Sequence, residues 1–212
     1  IKHVPPLLEN DKVAVASGVR FSTKPKSVCD LEKYVYMQYL MNENLAPYLS
    51  NRKSSVFTLG KTLDNTLYKT DIIRKIGGFP QLSTNSGVDA LLAYTLNHYG
   101  FVWKVDPYCV SQHIRRGFKE ELSHQRWYAV ASVETRQKIL SQGLDTEDRL
   151  GCFISFKHAV ERLLLSPLAG VFVAYKMRNP FISFVHPLIK LFWFVGYLDS
   201  RKMRLNYRRS GT

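Results

Sequence analysis

At 212 residues the chain has room for one large domain or for a domain with an appendage. Its 45% hydrophobic content is enough to build a packed core and excludes a disordered tail. Of the net charge of +13, residues 151–212 supply +8, from ten basic and two acidic side chains. The same stretch carries long Phe/Leu runs, a pairing that favours an anionic membrane surface and argues against nucleic acid as partner. Cys29, Cys109 and Cys152 are odd in number and far apart, so neither a disulfide framework nor a CxxC metal spacing exists.

In chain order, residues 13–21 alternate β-branched with small side chains and predict a strand. Asp30 is a candidate cap for a helix reaching about Met41, and the Asn-rich stretch 42–55 reads as a loop. A strand is expected near 56–60. Thr70 is a candidate N-cap for a short helix over 71–76, stopped by Gly77-Gly78. From Asp89, apolar residues recur at helical spacing until Gly100, then 101–105 alternate like a strand, and after Pro107 a second strand-like piece ends at Gln112-His113. Residues 120–142 return to a helical pattern, and the acidic turn 145–148 separates it from a tail with helices expected at 160–176 and 181–202.

The run from Asn65 through Lys69 and Arg74 to Gly77-Gly78-Phe79 resembles a recurrent piece of family 2 glycosyltransferases. In that family an Asn precedes a basic residue, a short helix follows, and a Gly-Gly-Phe turn closes it. An acidic pair then opens a helix, matched here by Val88-Asp89. A Gly-aromatic strand follows, matched by Gly100-Phe101, with a His at its far end, matched by His113. The resemblance covers roughly residues 1–140. It implies a GT-A fold, a Rossmann-like α/β sandwich whose first half binds the nucleotide-sugar and holds a divalent Mn or Mg ion on the diphosphate through a DxD motif. No Asp-x-Asp triplet occurs in the chain. The expectation is therefore a partial GT-A layer over 1–150, the acceptor-side part of a fragment lacking its donor half, followed by a mostly α-helical, membrane-seeking tail over 151–212.

An inverting transfer needs a carboxylate beside the acceptor hydroxyl to take its proton. The resemblance places Asp89 in that role, while the residue type and position alone also fit a helix cap. Where the family carries a second carboxylate, Val88 stands. His113 matches a family position that in some members helps bind the metal-diphosphate; a structural imidazole is the alternative. Asn65, Gly77 and Gly78 are expected to shape the acceptor and donor loops. Gln125-Arg126-Trp127 resembles the Gln-x-x-Arg-Trp signature of processive members, but at the wrong spacing. Arg126 and Trp127 stay candidates for the leaving diphosphate, or for a surface cation above a packed Trp.

The tail is flanked by basic residues at every end: Lys157 and Arg162, Lys176 and Arg178, then Arg201, Lys202 and Arg204. A spanning hairpin would put Lys176 and Arg178 outside, against the positive-inside tendency. A helical pair lying in the plane of the cytoplasmic leaflet keeps all the clusters on the anionic face, with soluble packing as a further alternative. His186 and Lys190, four apart, are expected to snorkel towards headgroups, with Phe181, Phe184, Leu188, Phe192 and Trp193 in the acyl boundary. The expected function is transfer of a sugar from a nucleotide-sugar to a glycan or polyprenyl-linked acceptor. The alternative is a non-catalytic, basic, membrane-peripheral binding module.

Overall fold

The structure is a computed structural model that describes residues 5–22, 62–84, 86–113, 118–144 and 155–210. The expected helix at 30–41, the loop at 42–55, the strand near 56–60 and the turn at 145–148 lie outside the described residues, as do Cys29 and Cys152. What is described falls into two compact units.

The first unit holds a 3-10 turn (Pro5–Leu8) and the strands β1 (Val13–Ser22), β2 (Thr66–Tyr68) and β3 (Val102–His113), with helices α1 (Thr70–Lys75) and α2 (Val88–His98). Among the described residues the sheet has three strands in the order β2-β1-β3. β1 runs parallel to β3 and antiparallel to β2, with Val15 opposite both Tyr68 and Trp103. As the middle strand it is covered on both faces, which explains four consecutive apolar residues where a half-exposed strand would alternate. Val13, Ala14, Val15 and Ala16 are all buried. One side packs with Ile72 and Ile73 of α1, Leu92 and Leu96 of α2, and Trp103 of β3. The other meets Cys109, Leu67 and the 3-10 residues Leu7 and Leu8. Fully burying each Leu or Ile stabilises by about 1.5–3 kcal/mol. The polar atoms placed in this core find partners: the Trp103 indole N–H donates to Ser17 Oγ at 2.9 Å.

β3 joins the two expected strand pieces, 101–105 and the one ending at Gln112-His113, into a single strand. β2 replaces what reads in the sequence as part of a motif. Thr70 is not the N-cap of α1. Lys69 occupies that position without a side-chain cap bond, because its ammonium carries no acceptor atom; its backbone is extended and its N–H still bonds Ala14 O at 2.9 Å. The helix can begin only once the chain leaves β1, so Thr70 becomes its first residue.

The second unit contains α3 (Phe118–Ser141), α4 (Phe156–Leu164), α5 (Ser166–Met177) and α6 (Ile182–Ser210), with the short segment 82–87. α3, expected to belong with the α/β layer on the near side of residue 150, packs instead along α6. Ala129 and Val133 of α3, Ala159 of α4 and Tyr197 of α6 form one cluster, joined by Trp193, Phe194 and Leu198. Ser155 caps α4 by accepting the His158 N–H at 3.1 Å. Ile182–Arg201 of α6 is long and apolar enough to cross a membrane by length and composition.

The inner face of α6 runs through Ile182, Val185, His186, Ile189, Tyr197 and Ser200, all buried at the three- and four-residue spacing of a helix. This corrects the expected snorkelling. His186 is only 6% exposed and Lys190 is half-buried, so both face protein. Trp193, Phe192 and Leu188 are likewise partly covered, whereas Phe181 and Phe184 are exposed, as expected for side chains in an acyl boundary.

Burial, with the charges of Lys190 and Arg162, pushes the His186 imidazole down to about 4. Burial and Arg162 push the Lys190 amine down to about 8. Unfolding returns both to ordinary values, so the unfolded chain binds more protons and stability rises with pH within each window. Stability should fall as pH drops from about 6.5 to about 4, and rise between about 8 and 10.5. Urea midpoints across the acid range should flatten in His186→Gln. An unchanged slope would mean that His186 is not the group responsible.

Candidate functional site

Asn65 sits at the head of β2 with φ 51°, a left-handed backbone that Asn tolerates better than most residues. Its carbonyl accepts the Gly18 N–H at 2.9 Å, and its side-chain amide donates to Cys109 O at 3.1 Å. Asn65 therefore ties β1 to β3, close to where their register slips between Gly18 and Val19. These bonds hold the sheet where β2 departs from it.

β2 leads through Lys69 into α1, and α1 ends in a turn that needs glycine. Gly77 N–H bonds Arg74 O at 3.1 Å and Gly78 N–H bonds Ile73 O at 2.8 Å, the paired bonds of a Schellman cap. Gly77 and Gly78 have φ 94° and 89°, and no atom would meet a Cβ at either position. The requirement is thus conformational, not steric. The turn delivers Phe79, 44% exposed, edge-on to the Tyr68 ring with centroids 5.2 Å apart.

Tyr68 is a member of the site that the sequence did not single out. Burial pushes its phenol up to about 12; a hydrogen bond with Thr66 opposes this, and the charges of Asp64 and Asp89 add to it. The hydroxyl therefore stays protonated at neutral pH and donates to Leu63 O at 3.2 Å. Asp89 stands in the first turn of α2, half-buried, with Oδ1 accepting the Ala90 N–H at 2.8 Å. Part of its carboxylate serves the helix start, and its charge is felt at Tyr68. The first unit thus holds Tyr68 and Phe79 as an edge-to-face pair flanking α1 and its Gly77-Gly78 turn, with the charge of Asp89 felt at Tyr68.

No family model matches the chain, and no curated protein matches it either.

His113 closes β3 in the same unit, opposite Ser22. Among the described residues no three His, Cys, Asp or Glu side chains converge as a metal site. The described residues alone do not fit a Mn or Mg ion.

Arg126 and Trp127 belong to the second unit. Arg126 Nε donates to Asp199 Oδ2 on α6 at 2.7 Å, so the guanidinium already has a carboxylate partner. Trp127 is 39% exposed, beside Tyr128 at 5.4 Å and His124 at 6.2 Å between ring centroids, instead of packed beneath Arg126. Glu134, also unmarked by sequence, grips the segment that precedes α2. Its carboxylate accepts Ser83 N–H at 2.6 Å, Thr84 N–H at 3.1 Å and Thr84 Oγ1 at 2.7 Å. Burial pushes the Glu134 acid up, but these bonds to Ser83 and Thr84 together hold it below its ordinary value. The grip ends a few residues before Asp89 in the chain. No spacing rule could have found it, since the partners lie 50 residues apart.

Proposed function

We propose that the chain is the acceptor-side part of an inverting family 2 glycosyltransferase that works at the cytoplasmic face of a membrane. The observation that carries the reading is Asp89, a half-buried carboxylate in the first turn of α2 that follows the Gly77-Gly78 turn in the chain. In the reaction the acceptor hydroxyl oxygen attacks the anomeric carbon and the bond from that carbon to the diphosphate breaks. The hydroxyl proton passes to the Asp89 carboxylate and the nucleoside diphosphate leaves. Phe79, 44% exposed and set edge-on to Tyr68, offers an apolar ring suited to stacking on a sugar. A Mn or Mg ion on the diphosphate would draw its ligands from elsewhere in the enzyme.

The second unit supports membrane association at the surface. α6 packs along α3, whose Arg126, Glu134 and Arg136 are unsuited to hydrocarbon. A peripheral seat with the basic flanks towards anionic lipid satisfies both helices. The same unit also supports the second reading, a non-catalytic membrane-bound module.

A transfer assay separates the two. The full-length protein is incubated with a UDP- or GDP-linked sugar, Mn²⁺ and polyprenyl phosphate in vesicles. Transfer to the lipid is expected, whereas the 212-residue chain alone should give no heat with the nucleotide-sugar in calorimetry. A full-length protein that binds vesicles but neither binds nucleotide nor transfers sugar would be the module instead.

A further inference from the structure

α5 is packed the wrong way round for a helix in water. Its small residues Ser166, Gly170 and Ala174 are buried, and Gly170 lies against α6 close to the Ser183 carbonyl and His186 Cβ. Its large apolar residues Leu168, Val171, Phe172 and Tyr175 point outward, Leu168 being 71% and Tyr175 78% exposed. Leu164 and Leu165, at the junction with α4, extend the same exposed stripe. A soluble helix buries its large side chains. Small residues between helices with large ones outside is the pattern of helices whose outer face is covered by lipid.

The corner that follows is unusual in a second way. Arg178 ends α5 with φ 52°, the left-handed conformation for which Gly or Asn is the unstrained choice. A strained position that keeps a cation points to a use for the charge. Arg178 is exposed, and with Val171, Tyr175, Asn179 and Ser183 it lines a pocket of about 660 Å³. The pocket has an apolar wall continuous with the exposed stripe and a polar end at Arg178.

We propose that the helical unit docks on an anionic phospholipid bilayer through the outer face of α5, with Arg178 at the α5–α6 corner receiving a lipid phosphate. This rests on the membrane-surface reading above, and of the two tail helices expected at the membrane it assigns the contact to the outer face of α5. Acyl chains cover Leu168, Val171 and Phe172, Tyr175 stands at the headgroup level, and the phosphate meets the guanidinium.

The test is flotation of the 212-residue chain with vesicles of phosphatidylcholine alone or mixed with phosphatidylglycerol. Three variants are compared: Leu168→Ser with Phe172→Ser, Arg178→Asn, and Leu140→Ser on α3 as control. All replace exposed residues, and Asn suits the left-handed backbone, so circular dichroism and melting should match the parent. The parent and the control should float with anionic vesicles. The double variant should lose about tenfold or more in partitioning, as expected for losing two buried apolar side chains. Arg178→Asn should lose several-fold on anionic vesicles and nothing on neutral ones. Inorganic phosphate at the ionic strength of a chloride control should not compete more than chloride does; stronger competition would mean a site for free phosphate and overturn the lipid assignment. If the parent floats and the double variant floats equally, α5 is not the docking face, although the membrane reading survives. If the double variant instead turns a dimer into a monomer with flotation unchanged, the face belongs to a second copy. A parent that stays in the soluble fraction with every lipid overturns both readings.

Discussion

Asp89→Asn in the full-length protein is expected to lower kcat by roughly 10²–10⁴-fold, the range for losing a general base, with KM nearly unchanged. The fold has little reason to respond. Asn keeps the shape of Asp and an oxygen that can accept the Ala90 N–H, now 2.8 Å from Oδ1. Half-burial without a core position means no cavity opens. Tyr68 supplies a second readout. Removing the Asp89 charge should bring the phenol down from about 12, though only in part, because burial is its largest cause. An ultraviolet difference titration between parent and variant would report that shift even where activity cannot be measured. Activity near that of the parent would leave Asp89 as a helix-start residue and put the base elsewhere. A loss of melting temperature alongside activity would make the role structural.

The order strand, short helix, Gly-Gly turn, helix, strand was readable because each piece carries a local cause. Glycines at φ 94° and 89° are visible as Gly77-Gly78, and a strand covered on both faces is visible as Val13-Ala14-Val15-Ala16. β2 was not readable, since three residues hold no period and its pairing with β1 is a tertiary event. Asn65 was legible as part of a motif, but its bond to Cys109 was not, because the partner stands 44 residues away. The tail failed differently. Sequence polarity tells which face of an amphipathic helix turns inward, but α5 is apolar nearly all round. Side-chain size made the choice, placing Gly170 and Ala174 against α6 and Phe172 outside. His186 and Lys190 marked the wrong face of α6 for the same reason: polarity alone said outside, and packing put them within.

Gly196→Ala should destabilise the helical unit, although a rule based on helix propensity predicts the opposite. In a solvated helix interior, Gly to Ala gains about 0.8–1.0 kcal/mol. At Gly196 a Cβ would be driven into the Arg126 carbonyl, with the carbonyl carbon at 2.8 Å and Arg126 Cα at 2.9 Å. These atoms are backbone, so no rotamer change relieves the contact and α3 and α6 must part. Overpacking in a well-filled interior typically costs about 1–3 kcal/mol, and a clash with a main chain belongs at or beyond the upper end. Parting the helices also stretches the Arg126–Asp199 pair one turn along, now 2.7 Å, which adds at most about 1 kcal/mol at an exposed site. Trp193, Phe194 and Tyr197 on the same stretch of α6 lose contact with Ala129 and Val133. The net expectation is a loss of about 2–3 kcal/mol, which for a chain of this size lowers Tm by roughly 5–10 °C. Thermal and urea unfolding followed by far-ultraviolet circular dichroism would measure it. A variant as stable as the parent, or more so, would mean that α3 and α6 do not meet at Gly196, and with that contact the whole arrangement of the second unit would have to be redrawn.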